Sequence, residues 1–357
     1  MAISMSKVSI CELVRKIRAR YIGWVGRGNL GDEALYKAIG ELFYDHLSFY
    51  AADEYRRHLD VQAVFLGGGT LIKSRAKSLK RLEKELGLHP QAKFIVFGTG
   101  VGDATMWEKF GYPIDIEWCR KMLEQAAYLA VRGPLSKKHL EDWGVKKEIH
   151  VIGDPAIWFA GDVIISKQKS KRIGVNLGPS RGLIHGQNEM YVLECATRLL
   201  RRLNDEGWQI TIFPMIQDDV EYLNQAIQMA GISKVAIHKQ FHDLSATLDM
   251  LEEQDVFIGE KLHSVILAHC VYTPAIMLEY RTKCRDYMLS MDLEEWTYRT
   301  DNLDADLIVK RLYQLYENSE QHQQHLFLQM QRWKNTLRVA TDQVKTIIAG
   351  ETGGVTE

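Results

Sequence analysis

The amino-acid sequence predicts an α/β protein built of two doubly wound, Rossmann-like parallel-sheet domains that face a cleft. Three observations carry this. Short apolar runs alternate with amphipathic helical stretches, the pattern of strands buried on both faces of a parallel sheet. The alternation occurs twice, with a polar break at residues 161–171 between the two series. The runs also end repeatedly in Gly, Arg or Asp, at the strand ends where open α/β sheets bind their ligands.

In the first series the predicted strands are 19–25, 61–66, 93–97, 127–131 and 149–152, each rich in β-branched or aromatic residues. Helical patterns at 32–43 and 136–143 lie between them. The first 20 residues read as a leading strand or helix, with no apolar core of a signal peptide. Ser166-Lys167-Gln168-Lys169-Ser170-Lys171 reads as a linker. The second series places strands at 172–177, 209–213, 234–237, 255–258 and 274–278. From Asp304 the pattern is helical, and Trp333, Leu337, Val344 and Ile348 share one apolar face. The expected organisation is an N-terminal α/β domain at 1–165, a C-terminal α/β domain at 172–303, C-terminal helices at 304–350 and a disordered tail at 351–357. A chain of 357 residues suits two domains of about 150 residues each.

Composition narrows the function. The 45 basic and 46 acidic residues nearly cancel, so no overall field draws the chain to nucleic acid or to an anionic membrane. Aromatic residues are not interleaved with a basic stripe, which also argues against nucleic acid. No apolar run reaches the roughly 18 residues of a spanning helix. Five scattered cysteines without a C-x-x-C pair point to a reducing compartment, so a cytoplasmic location is expected.

The strongest chemical signal is Gly259-Glu260-Lys261-Leu262-His263-Ser264, which follows the strand at 255–258 and opens a helix. Lys261 and His263 thus stand where a parallel sheet presents its ligands. An anion there meets fixed positive charge, free N–H groups at a helix start and an imidazole that titrates near neutrality. Arg132 follows the strand at 127–131. Its guanidinium is a fork for carboxylate or phosphate, or else a solvated loop residue. Ser136 suits a helix N-cap. Lys283, in Glu279-Tyr280-Arg281-Thr282-Lys283, either completes a ring of cations or is solvated.

Three glycine-rich strand ends fall in the first domain. Gly26-Arg27-Gly28-Asn29-Leu30-Gly31-Asp32-Glu33 matches the G-x-G-x-x-G spacing of a dinucleotide loop. Asp32 and Glu33 at the helix start would repel a pyrophosphate, so the segment reads either as a turn capped by Asp32 or as a loop for another ligand. Gly67-Gly68-Gly69-Thr70 and Gly98-Thr99-Gly100-Val101-Gly102 are the others, and three in one sheet favour a cleft floor. Gly153-Asp154-Pro155-Ala156 reads as a structural turn. His238 and His242 are spaced as on a helix but lack a third ligand, so they read as a surface helix turn and no metal is expected.

Taken in order, Gly28-Asn29-Leu30-Gly31-Asp32-Glu33, Gly67-Gly68-Gly69, Val131-Arg132 with Ser136, Gly153-Asp154-Pro155-Ala156, Gly259-Glu260-Lys261-Leu262-His263 and Tyr280-Arg281-Thr282-Lys283 resemble the polysaccharide pyruvyl transferase family. The resemblance spans residues of about 20 to 290 and implies a fold like that of B-type glycosyltransferases. It implies transfer of the enolpyruvyl unit of phosphoenolpyruvate to a sugar of a cell-surface polysaccharide or its precursor. The product is a pyruvate ketal, and phosphate is released. His263 matches the family's acid/base histidine. Arg132 and Lys283 match its donor-binding cations. Lys261 stands where the family commonly has Arg, so the charge is kept and the bidentate fork is lost. Asn176 and Arg181 lie where another polar donor group is carried. The loops with Gly28, Asn29, Gly31, Asp32, Glu33, Gly67, Gly68, Gly69 and Thr70 form the acceptor side of the cleft.

Under this resemblance the first domain is the acceptor side and the second the donor side. His263 is the nearby group able to act as general acid, and phosphoenolpyruvate is a co-substrate with no further cofactor. A lipid-linked acceptor would add peripheral contact with the inner face of a membrane. Two other functions fit the same frame: a nucleotide-sugar-dependent glycosyltransferase, and a sugar-binding protein without activity.

Overall fold

The computed structural model describes residues 16–51, 60–73 and 77–350. The leading element expected at 1–15 and the tail at 351–357 lie outside the described residues. Thirteen strands are present among the described residues: β1 (Ile17–Ile22), β2 (Leu47–Ala51), β3 (Ala63–Leu66), β4 (Gly69–Ile72), β5 (Lys93–Val101), β6 (Tyr128–Val131), β7 (His150–Val151), β8 (Arg172–Asn176), β9 (Gln209–Ile212), β10 (Val235–Ile237), β11 (Val256–Gly259), β12 (Ala275–Glu279) and β13 (Thr297–Arg299). The helices are α1 (Leu30–Leu42), α2 (Lys77–Leu88), α3 (Ala104–Lys109), α4 (Ile116–Leu123), α5 (Pro134–Asp142), α6 (Glu189–Asp205), α7 (Gln217–Ala230), α8 (Leu244–Glu252), α9 (Leu262–Cys270), α10 (Thr282–Ser290), α11 (Ala305–Glu317) and α12 (Ser319–Ala349).

The first sheet has the order β2-β1-β3-β5-β6-β7, with β4 paired to β5, and the second the order β10-β9-β8-β11-β12-β13. Every pairing is parallel. The fold class is therefore the one expected. Its central strands are buried on both faces, as in β3, β6, β11 and β12, where every residue is enclosed. Residues 161–171 are irregular and join the two sheets.

Several local expectations are corrected. Strands β2, β4 and β13 have no counterpart in the predicted set, because they are short and carry polar or glycine residues. Gly98 and Gly100 belong to β5, which runs on to Val101 and pairs with β4 there. The third glycine-rich segment is thus mostly strand. Asn29, not Asp32, caps α1: its Oδ1 accepts the Gly31 and Asp32 amides at 3.0 and 3.3 Å. Asp32 lies inside the first turn, where its charge suits the helix dipole. His238 lies in irregular chain after β10, not on a helix. It is buried, with Nε2 2.9 Å from the Thr247 hydroxyl.

The two sheets are bound closely to one another. The Leu30 amide donates to the Met215 carbonyl at 2.9 Å, and the Gly161 amide to that of Cys270 at 3.0 Å. The long helix α12 returns to the first domain, where Lys334 Nζ donates to the Ala160 carbonyl at 2.7 Å and the Tyr128 hydroxyl bonds Gln343 at 3.0 Å. The Trp333 ring lies against Gly153, and its indole N–H donates to the Ser290 carbonyl at 3.0 Å.

One of these ties replaces a missing helix cap. Gly133, not Ser136, is the N-cap of α5 and has no side chain to offer the first-turn amides. Asp286 of α10 supplies it. Its carboxylate accepts the Leu135 and Ser136 amides at 2.8 and 3.3 Å and the Ser136 hydroxyl at 2.6 Å. A methyl at Gly133 would lie 2.2 Å from Asp286 Oδ1, so only glycine admits this approach. Asp286→Ala leaves the buried Ser136 donors unmet, which costs about 1–3 kcal/mol. Urea unfolding should show that loss, and a change under about 0.5 kcal/mol would mean the cap contributes little.

Candidate active site

The carboxyl ends of the two sheets face one another across a cavity of about 450 Å³. The first domain contributes Trp24, Arg27 and Asn29 from the β1–α1 connection, Asp32 from the first turn of α1, Thr70 and Lys73 from and just after β4, Arg81 from α2, and Arg132 after β6. The second contributes Lys261 and His263 after β11, and Tyr280, Arg281 and Lys283 after β12. A more open depression of about 690 Å³ lies by the amino ends of β6 and β7, lined by Tyr128, His150 and Gln343. Parallel sheets bind ligands at the opposite ends, so the smaller cavity is the candidate site.

At its floor lie a carboxylate, a guanidinium and an imidazole. Asp154 is fully buried, and its Oδ2 sits 3.3 Å from Arg132 Nη1 and 3.7 Å from His263 Nε2. The first contact is a hydrogen bond and the second an ionic contact only. Asp154 Oδ1 accepts the Ala156 amide at 3.0 Å, capping a 3-10 helix (Pro155–Phe159). Burial alone would raise the Asp154 pKa. The His263 imidazole, then the Arg132 guanidinium and the Ala156 amide, more than offset this and hold the carboxyl below its ordinary range.

Arg132 is 1% exposed, and among the described residues its Nε and Nη2 have no hydrogen-bond partner. Nη1 faces Asp154, so the unfilled Nε–Nη2 edge is the one that matches two oxygens of a carboxylate or phosphate. Gly100 lets the guanidinium lie on the β5 backbone, since a methyl there would stand 2.5 Å from Nη2. His263 lies in the first turn of α9. A carboxylate beside Nε2 favours the tautomer protonated there and leaves the Nδ1 lone pair open. That Nδ1 faces α1, and a methyl at Gly31 would stand only 2.2 Å from it.

Around this floor the cations crowd. Burial, then Arg281, lowers the pKa of Lys73 to about 8. Lys283 is likewise lowered to about 8 by burial first and by Arg281 and Arg132 after it. Arg281 donates to the Leu183 carbonyl at 2.7 Å and lies over the Tyr280 ring at 4.9 Å. Among the described residues Asp32 carries the one carboxylate that lines the cavity. Burial raises its pKa against the pull of His263, Lys283 and Lys73. His263 is therefore not alone as a proton-handling group: Asp32, Lys73 and Lys283 share its cavity.

Other residues marked in the sequence take different places. Asn29, Gly69 and Thr70 line the cavity with Asp32. Glu33 instead accepts the Gly26 and Arg27 amides at 2.7 and 3.3 Å and folds the loop that bears Gly28. Gly67 and Gly68 give room to the Tyr21 ring and to Leu35. Asn176 is fully buried beneath the site, where Nδ2 donates to the Phe213 carbonyl at 2.8 Å and Oδ1 accepts the Lys261 amide at 2.9 Å. Arg181 is solvent-exposed and pairs with Asp218 at 3.0 Å, outside the cavity. These two are corrected as donor contacts: one positions Lys261, and the other has its charge turned to solvent. Lys261 itself donates to the Pro179 carbonyl at 2.8 Å and stands 4.0 Å from the buried Asp219.

Sequence reasoning missed Asp154, Lys73 and Arg281. Asp154 and Arg281 follow strands that were predicted, which is the signal that could have marked them; Lys73 follows β4, which was not. Asp154 was hidden by the Pro155 beside it, which reads as a turn.

The model of the polysaccharide pyruvyl transferase family matches residues 29–282. The chain belongs to the polysaccharide pyruvyl transferase family. It is thus a transferase, and the substrate that its family name carries is a polysaccharide. No curated protein matches it in sequence. Solved structures resemble it in fold. UDP-GlcNAc 2-epimerase from Neisseria meningitidis, solved with UDP-GlcNAc, superposes with a TM-score of 0.58 at 8% identity, over 94% of this chain and 100% of that one. The S. aureus MnaA–UDP structure gives 0.57 at 11% identity, over 92% and 95%. A glycosyltransferase from Rickettsia africae gives 0.55 at 12% identity, over 94% and 100%. Among the described residues no helix is long and apolar enough to cross a membrane.

The Asp154 pKa has a consequence for stability. A carboxyl whose folded pKa is depressed stabilises the fold above its unfolded value of about 3.9, and that contribution disappears as pH falls through the folded value. Asp154→Asn should therefore be less stable than the parent by about 3–5 kcal/mol at pH 7, the usual cost of breaking a buried pair. The difference should shrink below about pH 4. Urea unfolding at pH 7 and pH 3 checks this, and an equal difference at both pH values would contradict it.

Proposed function

We propose that this transferase takes the enolpyruvyl unit of phosphoenolpyruvate and joins it to two hydroxyls of a glycan sugar as a cyclic ketal. The observation that carries the reading is the unfilled Nε–Nη2 edge of Arg132, buried at the floor of a cavity ringed by Lys73, Lys283 and Arg281. A small ligand with both a carboxylate and a phosphate satisfies that edge and those cations at once. Lys261, tied to Pro179 and Asp219, contributes field more than a direct bond.

In this reading Arg132 grips one anionic group, and Lys283 with Lys73 grips the other. Burial lowers the pKa of both amines to about 8, which still leaves them charged at pH 7, and a bound trianion raises those values again. The methylene carbon takes a proton, and positive charge develops at C2. A sugar hydroxyl attacks there, phosphate leaves, and a second hydroxyl closes the ring. His263, steadied by Asp154, handles protons in this sequence. The first domain offers the acceptor side: Trp24 is 51% exposed at the cavity mouth and presents an apolar ring face to a sugar. A precursor glycan borne on a lipid would approach the same mouth.

Phosphoenolpyruvate should raise the melting temperature, and phosphate should be released only when a glycan acceptor is present; a panel of p-nitrophenyl hexosides and N-acetylhexosaminides is the first probe. His263→Ala should cut turnover about 10²–10⁴-fold. Arg132→Lys, which keeps charge but not the fork, should weaken phosphoenolpyruvate binding by at least about tenfold. Stabilisation by uridine or guanosine diphosphate, with none by phosphoenolpyruvate, would instead favour a nucleotide-sugar donor.

A further inference from the structure

A carboxylate does not belong in a cavity that collects anions unless it has other work. Asp32 lies in the first turn of α1, next to Gly31, whose backbone touches the His263 ring. It lines the cavity, and among the described residues its carboxylate accepts no hydrogen bond. The charged and titratable groups that face it are His263 of α9, Lys283 of α10, Lys73 after β4, Glu33 on its own helix and Tyr21 of β1. Among the described residues no cation is fastened to it, so there it is not one half of a structural ion pair. Left ionised, it would repel both anionic groups of the donor.

We propose that Asp32 gives its proton to the methylene carbon of the donor, leaving the Asp154-backed imidazole of His263 to take the proton of the attacking hydroxyl. This rests on the phosphoenolpyruvate reading above. The physical argument is one of sign. A bound anion raises the pKa of every neighbour. For Lys283 and Lys73 this fastens the proton more tightly and makes them poorer acids. For Asp32 it produces the neutral carboxylic acid, a form poised to donate. Burial has already moved the Asp32 carboxyl in that direction. His263 is placed for the other role: Nε2 faces Asp154, and Nδ1 stands beside Gly31, in the same turn of α1 that carries Asp32.

The protons balance. The C2–C3 π pair takes the Asp32 proton and forms a C–H bond, so C3 becomes a methyl group. The first hydroxyl oxygen bonds to C2 and its proton passes to His263 Nδ1. The C2–O bond to phosphate then breaks, and phosphate departs with that proton as hydrogen phosphate. The second hydroxyl closes on C2 and returns its proton to the Asp32 carboxylate. Both catalytic groups end as they began.

The test is Asp32→Asn, close in size and unable to donate an acid proton. Calorimetry of phosphoenolpyruvate binding at pH 7, in two buffers of different ionisation enthalpy, needs no acceptor. The parent should take up more protons per donor bound than the variant, by up to about one, and the variant should bind the donor at least as tightly. Turnover with an active p-nitrophenyl glycoside should fall at least about 100-fold. The parent rate should also decline as pH rises through the Asp32 pKa of the complex. Asp32→Glu, with the acid one methylene further on, should recover part of the rate, and it carries the test if the amide variant does not fold. Equal proton uptake with turnover within about threefold of the parent would overturn the role of Asp32 while leaving the donor in place. Loss of donor binding in the variant would mark Asp32 as structural and overturn it too. A parent protein that neither binds nor turns over phosphoenolpyruvate would overturn the donor reading and this role together.

Discussion

The site depends on one buried carboxylate. Asp154 stands between a guanidinium from the first domain and an imidazole from the second, with no exposure to solvent. The buried Arg132 guanidinium would otherwise stand without a counter-charge. The carboxylate neutralises part of that charge and fixes the direction of both partners. It faces Nη1 of Arg132, so that among the described residues the Nε–Nη2 edge is left without a partner. It faces Nε2 of His263, so the inner nitrogen is left with its lone pair. A single buried group thereby faces both the guanidinium and the imidazole of the site.

This arrangement requires the two sheets to meet closely, and the chain secures that by polar ties as well as apolar packing. Asp286 caps a helix of the other domain, Met215 receives the first amide of α1, and Lys334 of α12 reaches back to Ala160. Each tie satisfies a backbone or side-chain group that burial would otherwise strand. Gly31 and Gly133 stand where the elements approach most nearly, and a methyl at either would overlap the partner's side chain. Loss of the side chain at these two positions is what permits the contact between domains.

Much of the fold was legible in the sequence. The buried central strands, such as β6 and β11, are short continuous apolar runs with no competing period. Strands β2, β4 and β13 were not legible. β4 is a Gly-Thr-Leu-Ile segment whose strand character comes from pairing with β5, a contact between distant parts of the chain. The site was legible where chemistry and position coincide: Arg132, Lys261, His263 and Lys283 all follow strands and all line the cavity. It was not legible where the role depends on direction. Asn176 and Arg181 follow a strand too, but one is consumed by backbone hydrogen bonds and the other turns to Asp218. Asp154 looked like the start of a turn, and it does start one, while its second oxygen faces Arg132 and His263.

The account stands or falls on where a donor comes to rest. The most direct measurement is a crystal structure of the protein soaked with phosphoenolpyruvate. The account predicts one molecule in the cavity between the sheets, with two oxygens of one anionic group on Nε and Nη2 of Arg132 at about 2.7–2.9 Å. Its other anionic group would meet Lys283, and its methylene carbon would lie toward Asp32. Density for the donor elsewhere, with the Arg132 edge still empty at saturating concentration, would contradict it.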